Sequence, residues 1–289
     1  MKYLVLIFLF CFLAACSGTK KAVENTPKIG TEVLKTKDSI TKKEVKVKKT
    51  NTTKKNEVEK PKQELNQTLR KEFKPIHQLW DELLLKHVSK NGNVNYKSFK
   101  TERKKLLTYI HTLNLMFSNE KFDTFSKEEK LAFWINAYNA MTIDLILRHY
   151  PIKSIKDIKN PWKQRFWKLD KKWWNLNDIE HEILRKMDEP RIHFAIVCAS
   201  VSCPKLLNEA YTASNLEEQL IKVTQCFLSD STKNNISENT LKLSKIFQWF
   251  AKDFKQNGSL VDFLNQYSGV QISAKAKKSF KNYNWGLNE

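Results

Sequence analysis

The sequence predicts an α+β fold, a helix-rich single domain with a small sheet and a central buried helix. Three observations predict it. Residues 73–289 form one block of 217 residues with 29 aromatic side chains, which is enough apolar material for a core. Residues 126–149 are apolar on nearly every side, as expected for a helix at the centre of a domain. Short apolar runs such as residues 240–243 predict a few strands.

Composition and charge exclude several classes of protein. The chain has 289 residues, with 51 Lys and Arg against 31 Asp and Glu, so its formal net charge is +20. The aromatic content of 11% excludes a wholly disordered chain, and the length excludes a miniprotein held together by disulfides. Only six glycines are present, and the sequence contains neither a Gly-rich phosphate-binding loop nor an HExxH zinc motif.

The first sixteen residues are typical of an export signal. Lys2 precedes an apolar run over residues 4–13, which is too short to span a membrane as a helix. The run leads into the letters LAAC, whose cysteine is Cys16. This pattern resembles a bacterial lipobox and predicts a signal peptide over residues 1–15, with Cys16 lipidated, for example by palmitate. An ordinary secretory signal with a chance cysteine is the alternative.

These features predict a lipid-anchored protein of the cell envelope, because several acyl chains anchor a protein stably. Ser17 occupies the second mature position, which resembles the signal for sorting to the outer membrane, with the domain facing the periplasm. The membrane, reached through the lipid, is therefore an expected partner. Nucleic acid is not expected as a partner of an exported protein, although the chain is strongly basic.

Residues 16–72 are predicted to be a disordered basic tether that links the lipidated cysteine to the globular domain at residues 73–289. Residues 17–72 hold 16 Lys and Arg against 8 Asp and Glu, and they contain no aromatic residue. Such a segment cannot bury enough apolar surface to offset the entropy of ordering. Its lysines either lie against anionic lipid headgroups or an anionic envelope polymer, or only keep the tether extended and soluble.

The elements of the first half follow from apolar spacing and capping residues. Residues 73–88 predict an amphipathic helix, and residues 96–117 contain at least one more. The letters SKEE from Ser126 form a capping box, and the helix that they begin should run to about residue 149, before Pro151. Asn136 and Asn139 lie three residues apart on one face of this helix. These amides either tie the helix to neighbouring loops, or one of them orients a catalytic side chain.

The second half is predicted to be more mixed. Residues 166–176 predict a hairpin, and Asn177 should cap a short helix that contains Glu180 and His181. Residues 191–199 are short and mostly apolar and predict a buried strand. Pro204 predicts a helix start, which would place Cys203 at or near the N-cap. The remaining expected elements are a strand at residues 240–243 and helices at residues 215–228, 245–254 and 260–267.

Several short motifs resemble those of the DUF547 family, a domain of unknown function common in exported bacterial proteins. The letters FWINAYNA occupy residues 133–140 and DIEH residues 178–181. PRIHFA begins at Pro190, and the same segment ends in SCP at residues 202–204. LSKIF at residues 243–247 and YNW at residues 283–285 complete the pattern. The resemblance covers roughly residues 75–289 and implies no particular reaction.

Three cysteines remain once the leader is removed and Cys16 is lipidated, and an odd number leaves at least one thiol unpaired. Cys226 lies in a predicted amphipathic helix and is expected in the core. Cys198 and Cys203 flank a predicted turn, where they either remain thiols or form a disulfide in an oxidising compartment.

A cysteine at a helix N-terminus has a lowered pKa, because the helix dipole and free N–H groups stabilise the thiolate. Cys203 is therefore the preferred candidate nucleophile, and along a strand His193 and Cys198 would point to opposite faces. His193 or His181 is the candidate general base, and Asn136 or Asn139 would fix its tautomer. This constellation predicts a cysteine-dependent hydrolase or transferase that acts on an amide or ester.

Two other interpretations use the same residues. Glu180, the two histidines and the two cysteines are the residue types of a zinc site, but neither CxxC nor HxxxH spacing supports one, so neither metal nor cofactor is expected. A non-catalytic envelope module that binds or scaffolds is as well supported as the thiol enzyme. The sequence names no protein partner and no substrate.

Overall fold

A computed structural model describes residues 75–289. The signal peptide, the lipidation of Cys16 and the tether are predictions that lie outside the described residues. The described part is a helix-rich α+β domain with two small sheets, as the sequence predicts. Within it, none of the helices combines the length and the apolar character needed to cross a bilayer.

The helices are mostly short and surround one long helix. They are α1 (Gln78–His87), α2 (Tyr96–Thr101), α3 (Arg103–Phe117), α4 (Lys127–His149), α5 (Ile192–Ala195), α6 (Leu216–Ser229), α7 (Ile246–Trp249) and α8 (Leu260–Tyr267). A π-helical segment covers Asp178–Ile183, and 3₁₀ turns include Leu184–Met187 and Asp253–Lys255.

Helix α4 is the centre of the domain. Ser126 caps it by accepting a hydrogen bond from the backbone N–H of Glu129, and the Glu129 carboxylate accepts one from the backbone of Ser126 in return. This reciprocal pair satisfies two backbone donors that a helix start leaves free. Every residue from Leu131 to Leu147 is buried. The predicted central helix, apolar on nearly every side, is therefore confirmed as the core of the fold.

Two small sheets flank the helices. The strands are β1 (Trp167–Leu169), β2 (Lys172–Trp174), β3 (Asn235–Ile236), β4 (Thr240–Leu243) and β5 (Lys277–Phe280). Strands β1 and β2 form the predicted antiparallel hairpin, with Trp167 opposite Trp174 and Asp170 at φ 54° in the turn. Strand β4 pairs antiparallel with β3 and parallel with β5.

The predicted strand at residues 191–199 is wrong. The segment is buried as expected, but it forms the short helix α5 followed by irregular backbone. The N–H of Ile196 bonds to the carbonyl of Ile192, and the N–H of Val197 bonds to the Asn139 side chain, so a strand partner is not needed. A short apolar run fits a strand and a buried helix equally well, because periodicity alone does not separate them.

The predicted helix after Pro204 is also wrong, so Cys203 does not lie at a helix N-terminus. The chain stays irregular until α6 begins at Leu216. The preceding backbone pairs instead with the C-terminal segment, since the N–H of Val201 donates to Gly286 and that of Ser202 to Asn284. These long-range bonds tie the backbone before Cys203 to the C-terminal segment and satisfy its N–H donors outside any helix.

Two smaller expectations also differ from the structure. Cys226 lies on α6 as expected, but it is exposed, because the buried face of that helix is formed by residues such as Leu220, Val223 and Phe227. The helix expected over residues 245–254 divides into α7 and the 3₁₀ turn Asp253–Lys255. The break between them brings Asp253 to the candidate site.

Candidate functional site

A cavity of about 690 Å³ opens beside helix α4. Its walls come from segments far apart in the sequence. Tyr138 of α4, the loop at residues 156–163 and the π-helical segment form one part of the lining. The region of residues 193–204, helix α7 and the C-terminal segment, with Tyr283 and Trp285, form the rest. Cavities of this size, with a few converging polar groups, are the usual place for a ligand or substrate. The side chains that face this cavity therefore determine which reactions it can support.

Asn139 holds the backbone of residues 195–197, which forms part of one wall of this cavity. Its amide nitrogen donates to the carbonyl of Ala195 at 2.9 Å, and its amide oxygen accepts from the N–H of Val197 at 3.0 Å. Asn136 holds Tyr211 in the same way, through both the carbonyl and the N–H of that residue. Both amides are therefore engaged by backbone groups, as the first of the two predicted interpretations states, and neither hydrogen-bonds a histidine.

The C-terminal segment supplies another wall. Leu287 donates its N–H to the carbonyl of Lys153, and Asn284 donates its own to the Ser202 hydroxyl at 2.8 Å. These bonds place Tyr283 and Trp285 in the cavity wall. The YNW motif at residues 283–285 therefore contributes two aromatic side chains to the lining of the cavity.

Glu180 is a buried carboxyl group in the cavity. It is 8% exposed, and the Tyr138 hydroxyl donates to it at 3.1 Å. Burial raises the pKa of Glu180 to about 7, because the charged form loses its hydration, and the Tyr138 hydrogen bond and the positive charge of Arg185 only partly oppose this effect. Glu180 therefore exchanges a proton in the neutral pH range.

His193 is held by a carboxylate. Its Nε2 lies 2.8 Å from an oxygen of Asp253, and its ring stacks on Phe250 at a centroid distance of 3.9 Å. Burial lowers the pKa of His193, and the Asp253 hydrogen bond opposes this effect in part. The neutral ring then carries its proton on Nε2, which leaves Nδ1 as a base with no hydrogen-bond partner among residues 75–289.

Arg185 connects this pair to His181. It donates to both carboxylate oxygens of Asp253, at 2.6 and 2.8 Å, and to Nδ1 of His181 at 2.9 Å. Burial tends to raise the pKa of Asp253, but the hydrogen bonds from Arg185 and His193 outweigh it and hold that pKa well below its usual range. Burial and then Arg185 lower the pKa of His181.

The site therefore contains two carboxyl groups whose pKa values move in opposite directions. Asp253 stays ionised and orients His193, whereas Glu180 holds a proton up to neutral pH. Such a separation is typical of sites that divide the work between a proton donor and a charged group. Sequence patterns assigned no acid–base role to Glu180 and did not single out Asp253 at all, although Glu180 lies inside the DIEH motif.

Cys198 and Cys203 form a disulfide bond, one of the two predicted alternatives. Both residues line the cavity together with His181 and His193, so four predicted site residues do meet there. Within the described residues, neither sulfur lies within hydrogen-bond distance of a histidine nitrogen. The predicted Cys203–histidine pair is not formed in this structure.

Polar donors surround the two sulfur atoms. The Cys203 Sγ accepts from the backbone N–H of Cys198 at 2.9 Å, and the Tyr283 hydroxyl lies 3.3 Å from each sulfur. Ser200 places its hydroxyl 3.2 Å from the Cys198 Sγ. Ala199, between Cys198 and Ser200, has φ 57°, a strained value for a residue other than glycine. The turn that carries the disulfide therefore has a strained backbone at Ala199, and hydrogen-bonding groups surround its two sulfur atoms.

The remaining lining is aromatic and basic. Trp249 stacks on Trp285 at 5.8 Å, and Tyr283 lies 4.5 Å from Trp285, measured between ring centroids. Lys156 places its ammonium 4.3 Å over the Trp285 ring. Three lysines of this lining have no ion-pair partner within the described part of the chain, namely Lys156, Lys159 and Lys163. The residues of this wall favour a ligand that is flat or ring-shaped and negatively charged.

The polar side chains of the cavity are engaged with one another rather than arranged around a common centre. Within residues 75–289, no group of three or more His, Cys, Asp and Glu side chains converges as metal ligands would. His181 is hydrogen-bonded to Arg185 and His193 to Asp253, and the two cysteines are bonded to each other.

Comparison with known families supports the resemblance that the motifs carry. Neither the curated proteins nor the solved structures contain a match. A family model described as "Protein of unknown function, DUF547" matches residues 122–228. The matched range includes Glu180, His193 and both disulfide cysteines, whereas Asp253 and Tyr283 follow it. Residues 122–228 are therefore similar to the DUF547 family, as the motifs within that range predict.

Proposed function

We propose that this chain is a hydrolase or transferase that acts on an amide or ester in the cell envelope, through acid–base catalysis by Glu180 and His193. One observation carries the proposal: a single cavity holds a buried carboxyl group and a histidine that a carboxylate orients. Both are the group types that general acid–base catalysis uses. The envelope location rests on the LAAC motif and on the lipid anchor that it predicts at Cys16.

The predicted thiol mechanism is revised by the disulfide. A sulfur bonded to another sulfur is not a thiolate and does not attack a carbonyl carbon. Water takes its place as the nucleophile for hydrolysis, and the hydroxyl or amine of an acceptor takes the same position for transfer. Nδ1 of His193 accepts a proton from that water while its oxygen bonds to the carbonyl carbon, and Asp253 stabilises the resulting imidazolium. Glu180 then donates its proton to the departing nitrogen or oxygen as the bond to the carbonyl carbon breaks.

The lining of the cavity supports one class of substrate. Aromatic rings such as Trp249 and Trp285 bind the faces of sugar rings or planar groups, and lysines bind carboxylates or phosphates. An anionic polymer of the envelope that contains sugars and amide- or ester-linked groups combines these features. The basic tether would favour the same class of polymer through its charge.

The test compares three variants of the full chain on isolated envelope material. Glu180→Gln and His193→Gln should each lower the release of the free acid and its amine or alcohol by about 100-fold or more, because proton transfer contributes that much. Glu182→Gln is the matched control, since Glu182 lies two residues away on the same π-helical segment and is exposed. Mass spectrometry measures the released groups.

Equal release by the wild type and by Glu180→Gln would refute the acid–base role. The aromatic and basic lining also supports a second function, a module that binds the polymer without changing it. In that situation the wild type would release nothing, Glu180→Gln would bind the polymer as tightly as the wild type, and Trp249→Ala would bind more weakly.

A further inference from the structure

The Cys198–Cys203 disulfide lies in the cavity wall rather than in the apolar core. The two cysteine residues differ in exposure. Cys203 is 4% exposed, whereas Cys198 is only partly buried. A thiol that enters the cavity would therefore reach Cys198 before Cys203. The acid–base proposal leaves this pair without a role.

The surroundings of Cys203 suit a leaving thiolate. Its sulfur accepts the backbone N–H of Cys198, which the Cys198 sulfur cannot do, and like the Cys198 sulfur it lies 3.3 Å from the Tyr283 hydroxyl. Burial raises the pKa of Tyr283 to about 12, so this hydroxyl keeps its proton at neutral pH and remains a donor. Hydrogen bonds to a thiolate stabilise it and lower the pKa of the thiol, and a thiol of low pKa leaves faster in disulfide exchange.

We propose that Cys198–Cys203 is a redox-active disulfide that exchanges with a dithiol partner entering the cavity, with Cys198 as the sulfur attacked and Cys203 as the leaving thiolate. One thiolate of the partner bonds to the Cys198 Sγ while the bond between the two cysteine sulfurs breaks, and Cys203 departs as the thiolate. The second thiolate of the partner then attacks the partner's own sulfur in the mixed disulfide and releases Cys198. Two electrons pass from the partner, which becomes a disulfide, to the cysteine pair.

This activity is independent of the proposed hydrolysis. It uses Tyr283 and the turn at residues 198–203, whereas the acid–base mechanism uses Glu180 and His193. Loss of one activity therefore leaves the other to be measured separately.

The experiment uses the full chain with Cys11→Ser, Cys16→Ser and Cys226→Ser, so that only the pair remains. Reduced glutathione is added at pH 7 to the folded protein, the reaction is stopped with acid, and peptide mass spectrometry locates the adduct. The expected adduct is on Cys198. An adduct on Cys203, or a disulfide that reacts only after unfolding in denaturant, would overturn the proposal.

Tyr283→Phe tests the leaving group without removing a cysteine. It deletes one hydrogen bond to the Cys203 thiolate, so the equilibrium with glutathione should shift about tenfold toward the disulfide, the size expected for a hydrogen bond to a charged group. The matched control is Tyr150→Phe, because the Tyr150 hydroxyl contacts Glu289 instead. An unchanged equilibrium in Tyr283→Phe would contradict the assigned role of that hydroxyl.

Discussion

Replacement of Glu180 by glutamine should change how the stability of the protein depends on pH. The pKa of Glu180 is about 7 in the folded chain, against 4.5 for the unperturbed group. The folded state therefore binds the proton more tightly than the unfolded state. The stability that this proton provides is complete below pH 4.5 and is lost as the pH rises to about 7.

The raised pKa corresponds to about 3 kcal/mol over the whole titration, most of which falls between about pH 5 and pH 8. A glutamine side chain cannot ionise and resembles the protonated carboxyl group in shape. Relative to the wild type, Glu180→Gln should therefore gain about 2–3 kcal/mol of unfolding free energy between about pH 5 and pH 8.

Urea unfolding of the full chain, followed by tryptophan fluorescence at several pH values, measures this difference. The quantity that matters is the difference between variant and wild type, because other groups titrate in both proteins. Glu182→Gln, exposed and on the same segment, should show no such gain over the same pH range. If the difference between Glu180→Gln and the wild type does not vary with pH, the carboxyl group has an ordinary pKa, and its role as proton donor is lost.

Three further outcomes are expected. Asn139→Ala should lower the unfolding free energy by about 2–4 kcal/mol, because it leaves the buried carbonyl of Ala195 and the N–H of Val197 unpaired. Urea denaturation measures this loss, and a variant as stable as the wild type would show that these bonds contribute nothing. Ser126→Ala should cost about 1 kcal/mol in the same measurement through loss of the cap of α4, and an undiminished midpoint would refute that role. Cys16→Ser should move the protein from the membrane fraction to the soluble fraction, and unchanged fractionation would refute the lipid anchor.

Sequence patterns predicted the parts of the fold that depend on neighbours along the chain. The capping box at Ser126 and the apolar run after it were enough to predict α4, because a helix with no polar face must lie inside the core. The hairpin around Asp170, the helix at residues 260–267 and the strand at residues 240–243 were equally local. Where a short apolar run fitted two structures, as at residues 191–199, the choice depended on Asn139, which lies 58 positions before its partner in that segment.

The candidate site was predictable only in part, for the same reason. The sequence marked His181, His193, Cys198 and Cys203 as chemically capable, and they do line one cavity. It did not identify their partners.

The sequence by itself determined a buried central helix, the hairpin and the set of polar residues available for chemistry, because each depends on spacing within one segment. Only the tertiary structure decided which of those residues meet. Asp253 reaches His193 across 60 positions, and Tyr283 reaches Cys198 across 85. Such contacts form when the core brings distant segments together, and they set the ionisation of Glu180 and Asp253, which no local pattern encodes.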